Sequence, residues 1–156
     1  MYLVVVISFL LSSMIEVIGV MSMTSALCGR YDKYSFQIMF YVAGVIGLFR
    51  SMLNFSDYHI EKVLLYFIST FIAIIIISIY NSKDSKTFLI SSTISIGIWS
   101  ILSLLVVNIM PFEWHYAIRG QYNIYCGMGH FAIGIACQLI SLYVHKHQVV
   151  EKIKNF

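Results

Sequence analysis

The chain has 156 residues, 60% hydrophobic and 11% charged, with a formal net charge of +3 and a mean hydropathy of +0.85. Soluble domains carry about 45–50% apolar and about 25% charged residues, so seventeen charged side chains are too few to cover a water-soluble surface. The same balance excludes a disordered tail, a charged nucleic-acid binder and a disulfide-stapled secreted miniprotein. The composition predicts a polytopic, all-α membrane protein.

The first apolar run covers about residues 3–27, enough for a helix to cross about 30 Å of hydrocarbon. No cationic segment precedes it, and Leu27 before Cys28 is too large for a lipoprotein cleavage site. The run therefore reads as a retained helix rather than a signal peptide. Glu16 lies mid-way along it. A carboxylate at that depth must be protonated, paired or turned toward water. His130 and Gln138 on the last run have matching depth and are its expected partners. One function for Glu16 is a proton or cation relay, or a ring of carboxylates around an oligomer's pore. The structural alternative is a hydrogen bond between helices that holds the bundle together.

The second run, about 35–53, is short, carries Arg50 near its end, and leads almost directly into the third, about 62–80. If residues 35–80 are organised differently, five spans become four. The fourth run covers about 87–110 and the fifth about 124–145. Apart from Lys62 at the edge of the third run, Glu16 and Arg50 are the only charged residues inside these segments. The alternation of a β-barrel is absent. Gly44 with Gly47, Ser91 with Ser95, Thr93 with Gly97 and Ala132 with Ala136 have spacings that allow close helix contact. The bundle is taken as residues 1–145, followed by a short tail, 146–156, with Val149, Val150, Ile153 and Phe156 on one helical face.

Two loops collect polar residues. His59 and Glu61 follow the second run, and Glu113 and His115 follow Pro111. Histidines with carboxylates could hold zinc or non-haem iron, but these pairs have i,i+2 spacing without a surrounding frame. Trp114, Tyr116, Tyr122 and Tyr125 beside them form an interfacial aromatic belt. Only His130 is clearly intramembrane, so a haem pair is not expected, and no metal or other cofactor is favoured.

Lysine and arginine set the orientation. Arg30, Lys33, Lys83, Lys86, Lys146, Lys152 and Lys154 fall on one side, and Arg50, Lys62 and Arg119 on the other. This predicts an outside N-terminus and a cytoplasmic C-terminus, in a bacterial inner or plasma membrane. Cys28, Cys126 and Cys137 then sit at different depths and do not pair.

The stretch Arg50-Ser51-Met52-Leu53-Asn54-Phe55-Ser56-Asp57-Tyr58 resembles the RxxxNxx[ED] signature of the MAPEG proteins, small trimeric membrane enzymes of eicosanoid and glutathione metabolism. The resemblance implies that Arg50, Asn54, Asp57 and Tyr58 bind glutathione. Where that family has a polar loop before the motif, this chain has apolar residues from Phe36 to Phe49, which implies an additional helix.

With almost no mass outside the bilayer, the chain must act through lipid, ions or a partner. The favoured expectation is a non-enzymatic sensor or anchor subunit, homo-oligomeric and joined to a cytoplasmic protein through its basic loops and tail, as in stress or antiviral systems. It makes no direct contact with nucleic acid. The alternatives are an ion or proton channel that uses Glu16 and a MAPEG-like glutathione-dependent enzyme.

Overall fold

The computed structural model describes residues 2–30, 33–53, 59–109 and 122–147. They form five α-helices: α1 (Tyr2–Cys28), α2 (Lys33–Leu53), α3 (His59–Asn81), α4 (Ser85–Ile109) and α5 (Tyr122–Lys146). Each contains a segment long and apolar enough to cross a membrane. Helices follow from the composition, because a segment in hydrocarbon must satisfy its backbone N–H and C=O groups internally. Between residues 35 and 80 the described residues form two separate helices, α2 and α3, so the described helices number five and not four. His59 and Glu61, expected in a loop, stand in the first turn of α3. The helix begins before the hydrophobic run does, because polar residues are tolerated in a helical turn at the membrane edge.

Local signals fix two of the helix ends. Gly29 has φ 74°, the left-handed conformation that glycine adopts without penalty. Its N–H reaches the Ala26 carbonyl at 3.0 Å, and the Arg30 N–H reaches that of Ser25 at 3.4 Å. This is a Schellman cap that closes α1. At the start of α4, the Asp84 carboxylate accepts the Thr87 N–H at 2.6 Å as an N-cap.

α1 is the central helix. It touches all four others and packs most extensively on α5. Every residue from Gly19 to Cys28 is buried, which fits a stretch with no charged residue whose polar members, Ser22, Thr24 and Ser25, are small hydroxyls. Val20, Met23, Ile74 and Trp99 anchor one apolar cluster, and Val17, Met21, Met39 and Ile77 a second. Large apolar side chains such as Phe40, Leu48, Ile72, Leu104 and Leu139 face outward, as lipid-facing positions do.

The α1–α5 contact rests on small residues. A Cβ on Gly19 would collide with the Gly134 carbonyl oxygen, and one on Gly134 would lie 2.7 Å from the Ile15 carbonyl. Gly127 sits against Ser12, and the Ser141 hydroxyl donates to the Ser22 carbonyl at 3.1 Å. Partner numbers rise together, so the two helices are parallel. Ser12, Gly19 and Ala26 recur every seven residues, as do Gly127, Gly134 and Ser141, which keeps small residues on one seam. The small-residue pairs expected from the sequence fare unevenly. Gly47 meets Leu10 and Met14, and Ser91 and Ser95 are buried, whereas Gly44 and Gly97 have open space and Ala132 is exposed.

Candidate functional site

Glu16 is 1% exposed, and its carboxylate is shared among helices. Oε1 accepts the Trp99 indole N–H of α4 at 2.8 Å. Oε2 accepts from Arg50 Nη1 of α2 at 3.1 Å and is also in hydrogen-bond contact with His130 Nδ1 of α5. α3 enters through the arginine: Arg50 Nε donates to Ser69 Oγ at 2.9 Å, and Nη2 to the Tyr66 carbonyl at 3.2 Å and to the Thr70 hydroxyl. The second Nη1 hydrogen reaches Ser13 Oγ at 3.3 Å. All five N–H donors of the guanidinium are therefore engaged, which a fully buried arginine requires. One carboxylate and one guanidinium tie five helices together.

Aromatic rings enclose this centre. The Tyr66 ring lies 5.1 Å from the Arg50 guanidinium carbon and stacks on the His130 ring at 5.5 Å. Phe9 meets His130 edge-on at 5.5 Å, and Phe67 and Phe71 flank Trp99. The apolar walls lower the local dielectric and strengthen the ion pair. The His130 side chain is 20% exposed, whereas those of Glu16 and Arg50 are at most 2%.

The meeting of Glu16 with Arg50 follows from helix geometry. α1 and α2 are antiparallel neighbours joined by a short turn. Glu16 stands twelve residues, about 18 Å, from that turn, and Arg50 seventeen residues, about 26 Å. Side chains lean toward their own helix N-terminus, so in an antiparallel pair Glu16 and Arg50 lean toward each other across the gap.

A second polar layer lies nearer the α1–α2 turn. Ser35 Oγ donates to Asn81 Oδ1 at 2.8 Å, and Asn81 Nδ2 donates to Ser25 Oγ at 2.9 Å. Thr24 Oγ1 and Ser95 Oγ are 2.9 Å apart.

No protein-family model, curated protein or solved structure matches this chain.

Of the expected partners of Glu16, His130 reaches it. Gln138 does not, and instead donates to Ser22 Oγ at 3.3 Å, because it stands two turns further along α5. Arg50, counted with the loop cations in the sequence, is buried in the bundle, so its placement among the outer loop charges is corrected. Its donors are all directed inward, and a glutathione carboxylate would have to displace one of these internal partners. Asn54, Asp57, Tyr58, Glu113 and His115 lie outside the described residues, as do the side chains of His59 and Glu61. Among the described residues, no three His, Cys, Asp or Glu side chains group as metal ligands would. Cys28 and Cys137 are buried free thiols on separate helices. Sequence reasoning did not anticipate Trp99, Tyr66, Ser69 and Thr70 as members of the site.

Proposed function

We propose that this chain is a non-enzymatic membrane sensor or anchor subunit whose charge-centred bundle sets the arrangement of a lysine-rich surface read by a cytoplasmic protein. The observation that carries this reading is the convergence of four helices, and of α3 through Arg50, on the single Glu16 carboxylate. A change in the partners of that carboxylate acts on every helix at once, as transduction between alternative packings requires. Glu16 faces the interior of one chain, a placement that favours a relay within the bundle over a ring lining an oligomer's pore.

The burial of Arg50 also strengthens the orientation argument. Counted along the sequence without Arg50, seven cations fall in the segments assigned to one side against Lys62 and Arg119 in those assigned to the other, a bias that supports a cytoplasmic C-terminus. At the richer end Arg30, Lys83, Lys86 and Lys146 are exposed and form the docking surface in this reading. Association between copies belongs to the same proposal.

Affinity purification in mild detergent, with the particle mass measured, tests it. A stoichiometric partner is expected with the wild-type chain and with Lys62→Glu, and is expected to be lost when Lys83, Lys86 and Lys146 are all changed to glutamate. Particles containing this chain alone under all conditions contradict the proposal. Ion flux in liposomes that disappears in Glu16→Gln would replace it with the channel alternative.

A further inference from the structure

We infer that the lysine-bearing end of the bundle is a binding surface for the headgroups of anionic phospholipids, with Lys83, Lys86 and Lys146 as its cations. The inference goes beyond the sensor reading, which gives the same lysines to a protein. It stands on a different observation, the height of these residues relative to the membrane-crossing segments.

Hydrogen bonds fix which helix ends lie together. The thiol of Cys28, the last residue of α1, donates to Ser91 Oγ of α4 at 3.2 Å and lies 3.6 Å from Ser82 Oγ in the α3–α4 turn. Asn81, the last residue of α3, donates to the Ser25 hydroxyl of α1 at 2.9 Å. α5 runs parallel to α1 and reaches the same end, with Ser141 donating to the Ser22 carbonyl at 3.1 Å. The ends of α1, α3 and α5 and the start of α4 therefore share one level.

The membrane-crossing segments stop at that level. They end at Cys28, Asn81 and Lys146 and begin at Tyr34 and Ser85. Lys83 stands two residues beyond one end, Lys86 one residue inside a start, and Lys146 is itself a terminal residue; all three are exposed. Lysines so placed carry their charge to the phosphates on a flexible apolar stem. Exposed tyrosines mark the same level independently. Tyr34, Tyr80 and Tyr143 each stand within one turn of a segment end, one on each of α2, α3 and α5. Among the described residues only Tyr41 is an exposed tyrosine at greater depth. Rings at a segment end sit against acyl chains with the hydroxyl among headgroups.

Charge decides which headgroup fits. Asp84 is the one acid among the described residues at this end, and it already accepts the Thr87 N–H at 2.6 Å. The surface is therefore positive in surplus. A zwitterionic lipid brings its own ammonium to such a surface, whereas an anionic lipid brings none. Each lysine near an anionic leaflet contributes about a fivefold preference. A soluble protein reaches these side chains only through the headgroup layer that already surrounds them.

The test places the full chain in phosphatidylcholine bilayers containing a trace of spin-labelled phosphatidylglycerol or spin-labelled phosphatidylcholine. Electron spin resonance reads the fraction of each label held at the protein. The phosphatidylglycerol label is expected to be held in the larger fraction at low salt. The difference is expected to shrink in about 1 M salt, where charges are screened beyond about 3 Å. It is also expected to shrink when Lys83, Lys86 and Lys146 are all changed to glutamine, and to persist when all three become arginine or when Lys62 alone becomes glutamine. Equal fractions for the wild-type chain at low salt, or a preference unchanged in the triple glutamine variant, overturn the inference. If that variant does not reconstitute, the salt response of the wild-type chain decides alone. Equal fractions alongside an intact protein partner leave the sensor reading standing and remove the lipid site. A phosphatidylglycerol preference with no partner captured does the reverse.

Discussion

Replacing Arg50 by methionine is expected to destabilise the bundle by about 3–5 kcal/mol, because it leaves the buried Glu16 carboxylate without its cation. Glu16→Gln alone strands the guanidinium in the same way, although glutamine still offers an acceptor to Trp99. Together, Glu16→Gln and Arg50→Met are expected to cost less than the two single changes summed, with a coupling of about 1–3 kcal/mol. The reason is that both uncompensated charges are removed at once, and a neutral interior is cheap where an unpaired ion is not. Unfolding of purified protein in mixed micelles measures all three. Additive effects would mean that the pair does not interact in the folded state. The exposed Lys83→Ala serves as the control and is expected to stay within about 0.5 kcal/mol of wild type.

Gly134→Leu is expected to abolish the native α1–α5 packing, and Gly134→Ala to weaken it by about 1–3 kcal/mol or more. The obstacle is backbone and not a flexible side-chain end: a Cβ at this position meets the carbonyl group of Ile15 and the nitrogen of Glu16 at 2.7–2.8 Å. Nothing can rotate aside, so α1 and α5 must separate, and that separation also draws His130 away from Glu16. Gly19→Ala is expected to behave similarly. Gly44→Ala and Gly97→Ala have open space around the new methyl group and are expected to be neutral or slightly stabilising through helix propensity. Thermal denaturation in detergent, with tryptophan emission and circular dichroism recorded together, separates the two groups. Equal behaviour of all four alanine variants would contradict the packing described here.

The architecture was readable in the sequence because hydrocarbon imposes a length and a composition on each crossing, and the five apolar runs meet both. The pairing of Glu16 with His130 was readable from depth alone. Arg50 was not placed correctly by loop counting, which takes a charge near the end of a hydrophobic run as a loop residue. The opposed lean of side chains on antiparallel helices had to be included to bring it to Glu16. Trp99 was hidden for a different reason. Tryptophan belongs by preference at the interface, and only a deep acceptor such as Glu16 Oε1 explains an indole fourteen residues into α4. The Gly19–Gly134 crossing is written in two seven-residue periods, but the partners lie 115 positions apart, so neither period alone shows which helix it meets. The serine and threonine hydroxyls that accept from Arg50 carry no signal of their own, since hydroxyls are common in membrane helices and bond back to the preceding turn, as Ser51 does to Gly47 at 2.9 Å.

The decisive observation is the ion pair at the centre of the bundle. Dipolar-recoupling solid-state NMR on the chain in lipid bilayers, with isotope-labelled glutamate carboxyl carbons and arginine guanidinium nitrogens, detects it directly. A direct carboxyl–guanidinium contact is expected in the wild-type protein and is expected to be lost in both Glu16→Gln and Arg50→Lys. Absence of that contact in wild type, or its persistence in both variants, would show that Glu16 and Arg50 do not join the helices as described.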